Sequence, residues 1–318
     1  MGVGDLSVTA KRRWVARAVT KLRTSKAAVM RAGGAAGRSF RDPTLDHIPA
    51  GHFYSPIPGR ADREAAITAL DRRPASLAAV DLNVEGQMAL LERLRRWYED
   101  LPFTDGPDGR HRYQFLNQYY SYGDAIIYAC LLQELRPARV VEVGCGWSSA
   151  LLLDVNEEML AGSADITFVE PYPQTLNRIA RPGDLEGRLR QTSVQAIPLD
   201  VFTALGDGDI LFIDSTHVAR CGSDVNYLFF EVLPRLRPGV YVHLHDVFYP
   251  FEYPANWLRE GKSWNENYVL RAFLEFNSAF EIALFSDHIA RLREEWFAEH
   301  MPKCLLNTGG NIWLRRTA

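Results

Sequence analysis

The chain has 318 residues, 47% hydrophobic and 24% charged, with a net charge of −3. That composition belongs to a globular protein long enough for one large or two modest domains and able to bury a sizeable core. Four scattered cysteines (Cys130, Cys145, Cys221, Cys304) without a C-x-x-C pair argue against a disulfide framework or a thiolate zinc site and for a reducing, cytoplasmic home; no run of about 18 apolar residues or signal-peptide core suggests a membrane span or export.

The charge is unevenly placed. Residues 11 to 41 hold ten Lys/Arg and no acid, while everything after Arg41 holds 26 Lys/Arg against 38 Asp/Glu. Residues 1–41 therefore read as a basic, partly flexible arm, with an amphipathic helix over residues 10 to 23 marked by Trp14, Ala18 and Leu22. Such an arm either docks on nucleic acid, anionic lipid or an acidic partner, or is a solvated appendage that neutralises an acidic body; the acidity of the body disfavours nucleic acid as substrate. Residues 42–114 read as a cap or lid segment. In it the proline-punctuated His52-Phe-Tyr-Ser-Pro-Ile-Pro-Gly59 is irregular chain, either a wall over a site or a strap over the core edge, and Leu90, Leu91, Leu94 and Trp97 mark an amphipathic helix ending before Pro102.

Residues 115–318 alternate strands with helices. After the aromatic stretch Phe115 to Tyr122, an apolar helix runs from Gly123-Asp124 to Leu135 and is stopped by Arg136-Pro137. A β-branched strand, Val140 to Val143, then runs through Gly144-Cys145-Gly146 into a helix starting near Trp147. The two glycines permit a tight turn and let backbone N–H groups approach a ligand, with Glu142 near the strand's carboxyl end, where ligands bind in open α/β sheets. Ser149 stands where the dinucleotide fingerprint has its third glycine, which disfavours a nicotinamide enzyme.

A second strand, Asp165 to Glu170, ends in an acid 24 residues beyond Gly146. Such a carboxylate can accept both hydroxyls of a ribose. Then come a helix (Gln174 to Ile179), a weak third strand over Thr192 to Pro198, a buried strand ending Asp214-Ser-Thr-His217, another ending His243-Leu-His245-Asp246, a helix from Trp264, and strands over Phe280 to Phe285 and Gly310 to Arg316. The expected fold is α/β, a doubly wound, mostly parallel sheet of seven strands with a helical and irregular N-terminal extension.

Glu142-x-Gly-x-Gly-x-Ser, the acid Glu170, the acid Asp214, Pro238-Gly239 before the fifth strand and two closing strands together resemble the class I S-adenosylmethionine (SAM) dependent methyltransferases, over roughly residues 115 to 316. The resemblance implies a Rossmann-like fold with a reversed last strand. It also implies SAM held by Glu142, Gly144, Gly146, Ser148 and Glu170, with Gln195 as an adenine contact and Tyr122 beside the cofactor. More narrowly, Asp214-x-x-His217 with His245-Asp246 resembles the branch containing macrolide-sugar O-methyltransferases and cephalosporin-hydroxylase-like proteins, which uses a divalent metal; its adjacent acid pair is replaced here by His245-Asp246. On this reading Asp214, His245 and Asp246 hold Mg²⁺ (or Mn²⁺ or Fe²⁺), and His217, with an ordinary pKa near 6.5, is the general base with Asp214. The expected substrate is a sugar or glycosylated natural product, with Phe53-Tyr54 and Tyr119 to Tyr122 as flat walls. Two histidines on one carboxylate would instead resemble an iron oxygenase site. A non-catalytic SAM-binding protein and a homo-oligomer stay open.

Overall fold

The computed structural model describes residues 48–318; the basic arm and its helix lie outside the described residues. The elements in chain order are α1 (Arg60–Leu70), α2 (Val84–Leu94), α3 (Gly123–Leu135), β1 (Arg139–Val143), α4 (Trp147–Glu158), β2 (Asp165–Val169), α5 (Gln174–Ile179), β3 (Leu189–Arg190), α6 (Leu199–Thr203), β4 (Ile210–Ile213), α7 (Asp224–Tyr227), β5 (Tyr241–His245), α8 (Ala255–Glu260), α9 (Glu266–Leu274), β6 (Phe280–Phe285), α10 (Ser286–Leu292), α11 (Glu294–His300) and β7 (Asn311–Arg316). They build one seven-stranded sheet in the order β3-β2-β1-β4-β5-β7-β6. β7 runs antiparallel to both neighbours, and the other pairings are parallel.

Side chains alternate between the two faces, as the period-2 pleat requires. Val140, Ile166, Phe168, Phe212 and Trp313 pack into one core with α2, α3 and α4, while Val141, Val143, Leu211, Ile213 and Leu244 pack into a second core on the opposite face. Both faces of the central strands are covered, so they read as continuous apolar runs rather than alternating ones. The strand order reverses between β1 and β4, each hydrogen-bonded to the other, and a crevice at such a switch point is where open α/β sheets bind ligands. Helix α3 ends at Arg136 in the left-handed conformation (φ 47°), which lets the chain turn into Pro137 and then β1.

Two local expectations are corrected. The third strand is not Thr192 to Pro198 but the two residues Leu189–Arg190, paired with Phe168 and Val169; Val194–Ala196 is a single 3₁₀ turn leading into Pro198. The aromatic segment His52 to Tyr54 covers neither a site nor the core edge. Phe53 and Tyr54 are 81% and 72% exposed; Phe53 stacks on His52, and Tyr54 packs at a tilt on both.

Candidate active site at the carboxyl edge

Strand β1 ends against the β4 loop. Gly144 has φ +82° and its missing Cβ would lie 1.8 Å from the carbonyl oxygen of Asp214, so any side chain here would push the two strand ends apart. The contact is sealed by Asp214 N–H donating to Val143 (2.8 Å) and Gly144 N–H donating to Val169 (2.9 Å). Gly146 differs: its backbone is extended, and a Cβ would meet only the Thr175 methyl, at 3.9 Å. Packing does not demand this glycine, which leaves room for a ligand against the N-terminus of α4.

Glu142 is fully buried. Its Oε1 accepts from Ser148 Oγ (2.5 Å) and Ser149 Oγ (2.9 Å), whereas Oε2 has no partner. Burial, with the nearby charges of Asp214 and Glu170, raises its pKa to about 8 despite the two hydroxyls. Glu170, just past β2, is half-buried. Its Oε2 accepts from Cys145 N–H (3.1 Å) and its Oε1 from Tyr172 N–H (2.7 Å). Each oxygen keeps a second lone pair, so a vicinal diol can be accepted by a carboxylate already fixed in orientation. An unsatisfied buried carboxylate oxygen, a pre-oriented second carboxylate and an open glycine turn between them fit an amino-acid-bearing nucleoside such as SAM.

A second cluster forms where β4 and β5 end. His217 lies in the left-handed region (φ 61°), as does Asp246 (φ 58°). For non-glycine residues that geometry costs on the order of 1 kcal/mol, and surrounding contacts must hold it. They do: the His217 carbonyl accepts from Asn265 N–H (3.0 Å) and Glu266 N–H (3.2 Å), and Thr216 is tied to Asp224 through both its amide and its hydroxyl. The His217 ring pairs through Nδ1 with Glu266 Oε2 (2.8 Å) and through Nε2 with Asp214 Oδ1 (3.4 Å) and Asp246 Oδ2 (3.6 Å). His245 Nε2 lies 3.6 Å from the other oxygen of Asp246.

Burial alone would lower the His217 pKa, but hydrogen bonds to Asp214 and Glu266 and the charge of Asp246 outweigh it and hold the imidazole well above its ordinary value. The value near 6.5 is that of an unperturbed histidine; the three carboxylates around His217 shift it upward. Asp214 is held below the usual carboxylate range, its burial outweighed by His245 and His217. The donor types around this point, two carboxylates and two imidazoles, suit a divalent cation. Their positions are those of ion-paired partners, and among the described residues no group of three or more His, Cys, Asp or Glu is placed to hold a metal ion.

The other expected contacts fall differently. Ser148 is at the glycine corner, but its hydroxyl serves Glu142. The Tyr122 hydroxyl donates to Asp105 (2.9 Å) and its ring stacks on Phe115, so both are spent in the core. Gln195 is exposed, and its amide donates to the Gly222 carbonyl (2.9 Å). Tyr120, too, is buried rather than a substrate wall, 5.3 Å from the His245 ring. Two residues of the site had not been anticipated: Glu266, and Trp264, whose ring centroid is 4.6 Å from that of His217. A cavity of about 570 Å³ opens beyond Asp246 between α1, the segment after β5 and the chain before β7; Ile67, Leu70, Phe248, Asp287 and Gly309 are among the residues lining it.

The family described as Methyltransferase domain matches residues 141–247, the span that carries Glu142, Glu170, Asp214, His217, His245 and Asp246, with Trp264 and Glu266 beyond it. Residues 141–247 are a methyltransferase domain. An uncharacterized protein of Archaeoglobus fulgidus is 30% identical to it over 181 residues, covering 54% of this chain and 81% of that protein. Among solved structures, the Mg-SAM form of cmcI is similar at 20% identity and TM-score 0.37, over 63% of this methyltransferase and 73% of that chain. The SAH-bound methyltransferase PaMTH1 of Podospora anserina is similar at 13% identity and TM-score 0.39, over 81% and 95%. The assignment of this methyltransferase rests on the family match together with its glycine corner and sheet order.

Proposed function

We propose that this methyltransferase moves the methyl group of SAM to a hydroxyl of a small polyhydroxylated or glycosylated molecule. The observation that carries the reading is the position of His217 between Asp214 and Asp246, on the same sheet edge as Glu142 and Glu170. SAM brings its own leaving group, so the protein has to align the hydroxyl with the methyl carbon and take one proton. Glu142 Oε2 would receive the ammonium of the methionine part, Gly144, Gly146 and Ser148 would border it, and Glu170 would receive the ribose hydroxyls. Gln195 and Tyr122 are left out, since the Gln195 amide nitrogen and the Tyr122 hydroxyl are engaged elsewhere.

Glu266 fixes the orientation of His217 through Nδ1, so Nε2 is the nitrogen that faces the acceptor. Before it can act as a base it must lose the proton that Asp214 and Asp246 stabilise. When added positive charge engages those carboxylates, their hold on the proton weakens and Nε2 becomes able to accept the proton of the hydroxyl. Asp214, Asp246 and His245 supply the donor types for a divalent ion, Mg²⁺ before Mn²⁺ or Fe²⁺, and would hold one only by leaving the ion pairs they form here; such an ion would acidify a coordinated hydroxyl. The resemblance of Asp214-x-x-His217 and His245-Asp246 to the macrolide-sugar O-methyltransferase branch supports this choice of residues and of substrate class.

One observation favours a second reading: both His217 Nε2 and His245 Nε2 lie 3.6 Å from Asp246. Two imidazoles flanking one carboxylate resemble the ligand set of an iron oxygenase, and oxygen consumption with Fe²⁺ in the absence of SAM would favour it. The deciding experiment incubates metabolite and glycan extracts with methyl-labelled SAM and reads products by mass spectrometry. Label on a hydroxyl of a small molecule, lost in His217→Ala, is the expected result. Label on protein, tRNA or DNA, or full activity in His217→Ala, sinks the proposal.

A further inference from the structure

Sequence and packing single out Lys262. Beyond Lys26 the chain carries just two lysines, Lys262 and Lys303, amid abundant arginine. The Lys262 ammonium lies 3.7 Å from the ring centroid of Trp257 and 4.7 Å from that of Trp264, and the two rings stand edge to face at 5.4 Å and 81°. A compact point charge can engage two indoles at once, whereas a planar guanidinium stacks on one. Trp264 in turn packs on the His217 ring, tilted at 42° with centroids 4.6 Å apart. The next two residues complete the hold: Asn265 and Glu266 N–H donate to the His217 carbonyl, and the Glu266 carboxylate takes Nδ1. Three consecutive residues thus fix the ring face, the main chain and one ring nitrogen of His217.

The other indole faces the roof of the cavity. Trp257, Tyr253 and Leu258 form a small cluster with Ala66, Ile67 and Leu70 of α1, and with Phe248 and Trp264. Helix α1 has no buried residue, and among the described elements its main packing partner is α8. Cavities of about 570 and 310 Å³ lie against it, Ile67 facing the first and Ala66 and Ala69 the second. A helix held this lightly responds to what fills the space beneath it.

We propose that Lys262 is a positioning residue: clamped between Trp257 and Trp264, it holds Trp264 against His217 and couples the docking of α1 over the cavity to the orientation of that imidazole. This deepens the reading of His217 as the group that accepts the hydroxyl proton, and rests on it for its consequence in catalysis. The contact itself can be tested without turnover.

Full-length protein labelled with ¹⁵N-histidine is compared as wild type, Lys262→Met and Lys262→Arg, with the His217 ring signals assigned by their loss in His217→Ala. Wild type should give a slowly exchanging Nδ1–H bonded to Glu266. Lys262→Met, equal in length but uncharged, should lose that slow exchange and shift the ring nitrogens; Lys262→Arg, able to stack on one indole, should recover part of the wild-type signal; and all should bind S-adenosylhomocysteine within twofold of one another. His217 signals in Lys262→Met that coincide with wild type, or in Lys262→Arg displaced as far as in Lys262→Met, overturn the proposal. Should Lys262→Met not fold, Ile67→Ser on α1 serves instead: both the Lys262 ¹³Cε resonance, ring-shifted by the indoles, and the His217 signals should move, and if either stays in place the coupling is refuted. A His217→Ala enzyme that still methylates would overturn the base reading and leave these spectra standing.

Discussion

Replacing Glu142 by glutamine should make the ligand-free protein more stable at alkaline pH while weakening its hold on the cofactor. Glutamine keeps an acceptor for Ser148 and Ser149 and places an amide where Oε2 now has no partner, so at low pH the exchange is close to isosteric with the protonated acid. The difference appears on ionisation. Glu142 titrates at about 8 in the fold against 4.5 for a free glutamate. Because its folded pKa is the higher, its contribution to stability is fully present below about pH 4.5, drains away as pH rises through the interval to about 8, and stays at its lower level above that. At roughly 1.4 kcal/mol per pH unit, the interval corresponds to about 5 kcal/mol as an upper bound. Thermal melts across pH should therefore show E142Q and wild type together near pH 5 and E142Q higher by roughly 5–10 °C near pH 9. Calorimetry with S-adenosylhomocysteine at pH 8 should show a loss of roughly 10–100-fold in affinity for E142Q, the worth of a hydrogen bond between charged groups. Parallel melting curves at all pH values, or unchanged affinity, would refute both the burial argument and the role of Oε2.

Gly144→Ala should cost roughly 3 kcal/mol or more and lower SAH binding with it, since the methyl would sit 1.8 Å from the Asp214 carbonyl oxygen and force β1 and β4 apart; a melt within about 1 °C of wild type would show that the strand ends can part freely. Exhaustive chelation should abolish methyl transfer, and Mg²⁺ or Mn²⁺ should restore it, leaving SAH affinity unchanged; turnover that survives chelation, with no metal found by elemental analysis, leaves His217 and Asp214 to act alone. A chain beginning near Asp42 should bind SAH and turn over as the full chain does; loss of turnover in a folded truncation would tie the arm to the site or to an oligomer contact.

What could be read from the sequence was local. The glycine corner, the acid Glu170 and the strands ending at Asp214 and Asp246 each announce themselves within a few residues, and sheet topology then brings them to one edge. The third strand was misplaced because an edge strand of two residues leaves no periodicity to find, while Thr192 to Pro198 has the β-branched composition of a strand without the pairing. Tyr122 and Gln195 carry the right chemistry for a nucleoside, but their hydrogen-bonding capacity goes to Asp105 and Gly222, partners no pattern links to them. Glu266 was invisible for a related reason. An acid in the first turn of a helix already has an ordinary role against the helix dipole, and nothing marks one that also reaches a histidine 49 residues away.

The consequence of that hidden acid is chemical as much as geometric. With Asp214 alone beside it, His217 would face one carboxylate; with Glu266 and Asp246 added, three carboxylates share one imidazole and push its pKa well above the ordinary value. A resting site built in this way resists taking a proton until positive charge joins it. SAM brings a sulfonium, so on the proposed reading the ligand that supplies the methyl group would also push His217 toward the state in which it can serve as a base. Coupling of that kind makes the order of events testable: acceptor deprotonation should follow cofactor binding, and a His217 signal that loses its proton on addition of SAM, but keeps it with the uncharged thioether of S-adenosylhomocysteine, would separate the effect of the sulfonium from that of occupancy alone.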